Sequence, residues 1–245
     1  MTRVDVLGVS FDPVDLDEAA AAAVGLAGEP GAHLVVTANV EVIMRARRAP
    51  DLREILHRAA LVVPDGIGVV WGARQLGRRI PGRVAGIDLA DRLCGEGAKR
   101  GWRVFLLGGP PGVAEGAAAR LRSTYPGIVI VGAAHGFFGP DEESSVLGAI
   151  RAAAPTLLLA GLGSPRQERW LDRHLASLAV PLAIGVGGSL DVWAGRVPRA
   201  PRLVQTLGLE WCYRLMRQPS RFGRQLAIPQ FIATIWQERW RNGAR

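Results

Sequence analysis

Short apolar runs rich in β-branched residues alternate with longer stretches of helical periodicity along most of the chain. The runs predicted as strands are Val4–Val9, His33–Thr37, Leu61–Val63, Arg103–Leu107, Ile128–Val131, Thr156–Ala160 and Leu182–Val186. The stretches predicted as helices are Asp15–Leu26, Glu41–Arg58 with an interruption at Pro50, a segment ending at Gln75, Ile87–Arg100, Val113–Thr124, a segment from Asp141, and Pro165–Leu178. Such alternation is typical of a mainly parallel sheet with helices on both faces, so the pattern predicts an α/β fold.

The pattern changes after Gly195, where the strand signals stop. Four prolines divide the remaining residues into short pieces, and two of these pieces, Leu203–Gln218 and Leu226–Trp240, have helical periodicity. We therefore expect an α/β core over residues 1–195 and a helical C-terminal appendage over residues 196–245.

Charge is distributed unevenly between these two parts. The chain has 245 residues, of which 49% are hydrophobic and 21% charged, so it can bury a full core and is not a disordered protein. Its formal net charge is +8, and residues 196–245 carry all of it, with ten arginines against Glu210 and Glu238. A basic segment beside a neutral domain indicates an anionic partner, such as nucleic acid, phospholipid headgroups or a phosphorylated substrate.

Several classes of protein are disfavoured by what the sequence lacks. It has no apolar run of about eighteen residues, the length that a membrane-spanning helix needs. Acidic residues stand where a signal peptide has its apolar stretch, so we expect a cytoplasmic protein. Two cysteines and four histidines are scattered without the spacing of a disulfide framework or a zinc site, so we expect neither a metal nor another cofactor.

Five polar or glycine-rich segments directly follow predicted strands, which is where open α/β sheets bind ligands. The first segment contains Thr37 and Asn39. One of the two is expected to cap the following helix, and a ligand contact is an equal alternative for the polar groups of this segment. The second contains Asp65 and Gly66. Asp65 is interpreted either as a cap or Asx-turn residue, or as a general base whose pKa is raised by partial burial.

The third segment is an arginine-containing loop. We predict that Arg83 binds a phosphate or carboxylate through its planar guanidinium, whereas Arg78 and Arg79 are interpreted as a solvated basic loop.

The fourth segment gives the strongest signal, because a strand, a glycine turn and a helix with Pro165 at its first position follow one another. Free N–H groups and the helix dipole favour a phosphate there, and glycines allow close approach of the backbone. The residues assigned to this binding site are Gly161, Gly163, Ser164 and Gln167. The fifth segment contains Gly187 and Gly188, which are interpreted as a structural bulge or as a further part of the same site.

Two common nucleotide-binding motifs are missing. The sequence has neither the G-x-G-x-x-G of a dinucleotide site nor the G-x-x-x-x-G-K-[ST] of a P-loop. Asp15 and Asp17 form a D-x-D pattern that suits a divalent metal with a sugar nucleotide. Because Glu18 follows Asp15 by three residues, we interpret these acids as the N-terminal residues of a helix instead.

Seven motifs in order resemble the WecG/TagA/CpsF family of bacterial glycosyltransferases, glycosyltransferase family 26, over residues 4 to 240. They are Thr37–Glu41, VPDGIGVV (63–70), RVAGID (83–88), GLGSPRQE (161–168), IGVGGSLDVWAG (184–195), RAP (199–201) and GLEWCYRL (208–215). The resemblance implies a mainly parallel Rossmann-like sheet flanked by helices, with a basic helical C-terminal appendage.

The resemblance also implies an activity. It is the inverting, metal-independent transfer of a sugar, often of the N-acetylmannosamine type, from a UDP donor to polyprenyl-diphosphate-linked GlcNAc, in cell-surface polysaccharide or teichoic acid synthesis. Asp65 then matches the family's proposed base, and the pocket positions are matched by Thr37, Asn39, Arg83 and Gln167.

The appendage has its own implied roles, which are binding to the inner face of the cell membrane and closure of the active site. Arg214, Arg221 and Arg224 are predicted to bind the donor diphosphate, the anionic membrane surface or both. Tryptophans among the arginines suit a membrane surface, although Trp211 is equally well explained by packing on the core.

Two other classes of protein remain. A nucleotide- or nucleic-acid-binding α/β protein would use the basic tail on phosphodiesters, and a membrane-associated scaffold would leave the five polar segments unexplained. We expect no nucleic acid partner. The sequence leaves open the transferred sugar, the polymer and whether the chain forms a homo-oligomer.

Overall fold

The computed structural model describes residues 2–206, 210–217, 223 and 226–243. The strands are β1 (Val4–Val6), β2 (Val9–Phe11), β3 (His33–Ala38), β4 (Leu61–Pro64), β5 (Arg103–Gly108), β6 (Val129–Ala134), β7 (Leu157–Gly161) and β8 (Leu182–Gly185). The helices are α1 (Leu16–Gly28), α2 (Val40–Ala46), α3 (Pro50–Arg58), α4 (Ile67–Gln75), α5 (Gly86–Arg100), α6 (Val113–Thr124), α7 (Pro140–Ala153), α8 (Arg166–Leu178), α9 (Ser189–Trp193), α10 (Arg202–Thr206), α11 (Glu210–Arg217) and α12 (Ala227–Gly243).

The central sheet of the described chain has six parallel strands in the order β4-β3-β8-β7-β5-β6. The predicted α/β fold with a parallel, Rossmann-like sheet is therefore confirmed. The chain leaves β5 toward β6 at one edge of the sheet, and it leaves β7 in the opposite direction toward β8. Connections that diverge in this way open a crevice at the carboxyl ends of the two strands, which is where such sheets bind ligands.

The predicted first strand, Val4–Val9, is wrong. The structure instead has an antiparallel hairpin of β1 and β2, in which Val6 pairs with Val9. The turn lies inside the apolar run, with Leu7 at φ 55° and Gly8 at φ 88°. Leucine rarely adopts a positive φ, so Gly8 was the one turn signal in this run, and the run was predicted as a single strand in spite of it.

Helices pack on both faces of the sheet. Successive residues of a strand point to opposite faces, so each strand contributes apolar side chains to both layers. Leu157 and Leu159 of β7 are buried in one hydrophobic cluster, together with residues of α1, α5 and α6. Leu158 and Ala160 are buried in the other, together with residues of α2, α3 and α8. This two-sided burial explains why the strands read as nearly continuous apolar runs.

The last helix, α12, packs on α2 and α4. Phe231 and Ile235 are 1% and 0% exposed and belong to the same cluster as core residues. They fit a notch made by Gly72 of α4, where an added Cβ would lie 2.5 Å from Phe231 Cζ. This end of the appendage is therefore held by close packing, and the domain division at residue 195 stays a prediction.

The remaining expectations for the appendage fall partly outside the described residues. Arg221 and Arg224 lie outside them, and of Arg214 only the backbone, within α11, is described. The described helices include none that combines the length and apolar character needed to cross a membrane.

Candidate functional site

The first two predicted segments lie side by side at the carboxyl ends of β3 and β4. Thr37 pairs with Val63 in the sheet, and the Asp65 N–H donates to the Ala38 carbonyl over 3.0 Å. The Val84 N–H donates to the Pro64 carbonyl over 2.8 Å, which brings the neighbouring Arg83 to the same edge. The structure thus brings together three residues that were predicted from separate motifs.

Thr37 connects three elements at this edge. Its hydroxyl donates to the Gly185 carbonyl at the end of β8 over 3.4 Å. An added Cβ on Gly86, the first residue of α5, would lie 2.8 Å from Thr37 Oγ1, so only glycine fits there. Thr37 therefore fixes how closely α5 approaches the ends of β3 and β8.

Asn39 and Asp65 differ in their relation to the helices that follow them. Asn39 is the N-cap of α2, and its Oδ1 accepts from the Val42 N–H over 3.1 Å. The capping interpretation is confirmed for Asn39. The N-cap of α4 is Gly66, at φ 108°, so Asp65 is not itself the N-cap residue. The half-buried side chain of Asp65 lies directly before this turn, and its role as a general base stays a prediction.

Arg83 forms an ion pair with the appendage. Its Nη1 donates to Oε2 of Glu210, the first residue of α11, over 2.9 Å, and the two side chains are 23% and 14% exposed. The sequence predicted an anion for Arg83 but not this one. Arg199 and Asp88 form a second ion pair between the segment after residue 195 and α5. The beginning of the appendage therefore lies next to the predicted catalytic residues.

The other arginines of this loop behave differently from each other. Arg79 is exposed, as expected of a solvated loop. The expectation for Arg78 is wrong, because it donates to the backbone carbonyl and to the carboxylate of Asp5 in β1. The hairpin that the sequence missed supplies both acceptors.

The glycines of the fourth and fifth segments lie against each other at the ends of β7 and β8. An added Cβ on Gly161 would lie 2.8 Å from the Gly187 carbonyl oxygen. Gly163 and Gly187 have φ angles of 80° and 51°, which favour glycine. Gly188 is the N-cap of α9. These glycines let two strand exits approach each other and leave a surface of backbone atoms.

Gln167 and Glu168 lie in the first turn of α8 and are buried, at 4% and 1% exposure. Gln167 Oε1 accepts from the Gly187 N–H over 3.1 Å, and its Nε2 donates to Glu168 Oε1 over 2.9 Å. Pro165 is the N-cap of α8 rather than its first residue. Gln167 therefore bridges the two glycine segments from inside the protein.

Burial raises the pKa of Glu168 above its ordinary value, although hydrogen bonds from Gln167 and Ser164 and the charge of Arg45 oppose the shift. Arg45 of α2 also donates to the Ser164 carbonyl over 2.6 Å and pairs with Glu41. Hydrogen bonds therefore connect the start of α8 and the turn before it both to α2, through Arg45, and to the segment after β8, through Gly187.

The strand-exit rule would have found one glycine pair that the sequence reasoning missed. Gly108 is the last residue of β5 and Gly109 follows it, and an added Cβ on Gly108 would overlap the Gly161 carbonyl. The Gly109 N–H donates to Gly161 and its carbonyl accepts from the Gly136 N–H. These residues line the crevice between β5 and β7. The sequence gave no comparable signal for Glu168, which is buried, or for Glu210, which lies far along the chain from its partner Arg83.

The D-x-D pattern is explained by helix capping. Asp15 and Glu18 form a reciprocal capping box at the start of α1, and Asp17 pairs with Arg92. Within the described residues, no group of three or more His, Cys, Asp or Glu side chains is arranged to hold a metal ion. Independence from metal ions stays a prediction.

Comparison with known proteins identifies the family. The family model described as "Glycosyl transferase WecG/TagA/CpsF family" matches residues 4–245. An N-acetylglucosaminyldiphosphoundecaprenol N-acetyl-beta-D-mannosaminyltransferase of Bacillus subtilis is 37% identical over 207 residues, which cover 84% of this chain and 79% of that protein. The protein of the same name from Bacillus spizizenii is 34% identical over 201 residues, or 82% and 77% of the two chains. This chain therefore belongs to the WecG/TagA/CpsF family of glycosyl transferases.

Proposed function

We propose that this enzyme transfers an N-acetylmannosamine-type residue from a UDP-sugar to a polyprenyl-diphosphate-linked GlcNAc, with inversion and without a metal ion. The names of the two Bacillus relatives support the acceptor and the sugar. The observation that carries the proposal is the meeting of Thr37, Asp65 and Arg83 at the carboxyl ends of adjacent strands, beside the glycine-lined exits of β7 and β8.

In the proposed mechanism, Asp65 is the general base. Its carboxylate accepts the proton of the attacking GlcNAc hydroxyl as that oxygen bonds to the anomeric carbon from the face opposite to UDP. The bond to the UDP oxygen breaks in the same step, so the configuration inverts and UDP leaves with an additional negative charge. A single displacement needs only one carboxylate as base, and Asp65 is the residue proposed for that role.

The leaving diphosphate needs cationic and N–H groups. Arg83 is proposed to donate to it, and Thr37 and Asn39 to orient the reacting sugars. The backbone at Gly161, Gly163 and Gly187 allows close approach of the donor, and the N-terminus of α8 favours its charge. The tail arginines Arg214, Arg221 and Arg224 are proposed to complete the diphosphate site.

The appendage is proposed to bind the cytoplasmic face of an anionic membrane without spanning it, since the acceptor is a membrane lipid. The buried side of α12 is used in packing, whereas Ile232, Trp236 and Trp240 are 39%, 44% and 77% exposed. Arginine together with exposed tryptophan suits a lipid interface better than a nucleic acid backbone. Sedimentation with anionic liposomes, compared with DNA retention at the same salt concentration, separates these two partners.

The test of the activity uses a panel of UDP-sugars with a short-chain lipid-diphosphate GlcNAc. We expect one product whose mass increases by a single N-acetylhexosamine and whose anomeric configuration is opposite to that of the donor, formed also in excess EDTA. Asp65→Asn should abolish transfer and keep UDP binding, because only proton acceptance is lost. The matched control is Asp17→Asn, at an exposed surface ion pair. A fully active Asp65→Asn enzyme would remove Asp65 from the mechanism.

A further inference from the structure

We propose that Glu168 is a positioning residue for the donor site: it fixes the Gln167 carboxamide, and Gln167 in turn holds the Gly187 N–H and the exit of β8. The inference rests on the proposed function for what this edge binds. The bridge itself rests only on the two hydrogen bonds and on the burial of both side chains.

The bridge fixes the orientation of the amide. Glu168 Oε1 is an acceptor and the Gly187 N–H is a donor, so a flipped carboxamide would place donor against donor and acceptor against acceptor. The carboxamide also fills the space beside Gly185, where an added Cβ would lie 2.6 Å from Gln167 Nε2. Loss of the Glu168 acceptor would therefore leave a buried Nε2–H group without its partner and release the Gly187 N–H.

Burial favours a neutral Glu168 carboxyl, and a diphosphate bound nearby would favour it further, whereas the polar and cationic groups that face Glu168 oppose it. Arg45 of α2 is the cation that faces it, and Arg45 shares its charge with Glu41. Arg169, on the same helix, is paired with Asp51. Glu168 Oε1 can accept from Gln167 in either protonation state.

The experiment compares Glu168→Leu, which removes the acceptor, with Glu168→Gln, which keeps it and imitates the neutral acid. Glu143→Gln is the matched control, because Glu143 also contacts α8, by accepting from Trp170 Nε1 over 2.8 Å. The two readouts are hydrogen exchange at the Gly187 amide and the affinity for UDP and the UDP-sugar, both measured on variants whose melting shows that they fold.

We expect Glu168→Leu to speed Gly187 exchange and to raise the Kd for UDP and the KM for the donor about tenfold or more, with a smaller change in kcat. Glu168→Gln and Glu143→Gln should resemble the wild type at neutral pH. Equal Gly187 exchange in Glu168→Leu and wild type would overturn the bridge, as would equal impairment of the Leu and Gln variants. If the wild type binds no UDP, the proposed function fails, and the exchange result still decides the bridge.

Discussion

The ion pair between Arg83 and Glu210 should stabilise the protein through a coupling that can be measured. Its N–O distance is 2.9 Å, and the side chains are 23% and 14% exposed, so solvent screens it less than a surface pair. Exposed pairs contribute about 0.2–1 kcal/mol, and breaking fully buried ones costs about 3–5 kcal/mol. For this intermediate burial and a charge-assisted hydrogen bond, we expect a coupling energy of about 1.5–3 kcal/mol.

A double-mutant cycle in urea isolates this energy. The free energy of unfolding is measured for Arg83→Ala, Glu210→Ala and the double variant, and the double variant should lose less than the sum of the single losses. The matched control cycle uses Arg92 and Asp17, which are 3.0 Å apart with side chains 58% and 75% exposed. A coupling for Arg83 and Glu210 no larger than that of this surface pair would refute the reasoning.

The same cycle tests what Arg83 binds. If the UDP diphosphate takes hydrogen bonds from Arg83, the ligand competes with Glu210, and saturating UDP should reduce the coupling energy. By linkage, Glu210→Gln should then bind UDP more tightly than the wild type, because a negative charge beside the diphosphate is removed. A coupling energy that UDP leaves unchanged would mean that Arg83 is a structural link to the appendage and no part of the donor site.

Three further predictions concern other parts of the molecule. Gly72→Val should lower the free energy of unfolding by about 1–3 kcal/mol, because its Cβ would meet Phe231, and Gly25→Val, inside α1 with no atom within 4 Å of its Cβ, controls for placing a valine in a helix. Burial raises the pKa of Glu168, so its contribution to stability is full below the ordinary value of 4.5 and is lost as pH rises through the folded pKa. Between these two pKa values, Glu168→Gln should gain stability relative to the wild type in urea titrations. A difference in the free energy of unfolding that does not change with pH would contradict this prediction. Trp240→Ala, at a 77% exposed position, should weaken liposome binding without changing the melting temperature, and unchanged binding would exclude this residue from the interface.

Much of the fold follows from local patterns. The six strands of the parallel sheet were predicted within a few residues, because five of them are largely buried and all six are mainly apolar, including the edge strand β6, which is only partly buried. Pro50 was predicted to interrupt a helix, and it begins α3 after a break from α2. The hairpin was missed because its turn pairs Gly8 with Leu7, a residue type without turn preference, inside an apolar run. Strand order could not be predicted, since it depends on contacts between distant segments.

The sequence predicted where the candidate site residues lie in the fold, but it did not predict their partners. Strand exits with polar or glycine residues indicated Thr37, Asp65 and Arg83, because the carboxyl ends of parallel strands meet at one edge whatever their order. Which group each would contact depends on pairs such as Arg83 with Glu210, 127 residues apart, that no local spacing encodes. This difference changes the chemistry of the site. The sequence predicted that the excess positive charge of the appendage binds the ligand. In the structure, one of the appendage's two acids, Glu210, forms an ion pair with Arg83 of the core at the same edge. The appendage therefore brings to the predicted diphosphate site a carboxylate that competes for Arg83, and any arginine it contributes must act in the presence of that carboxylate.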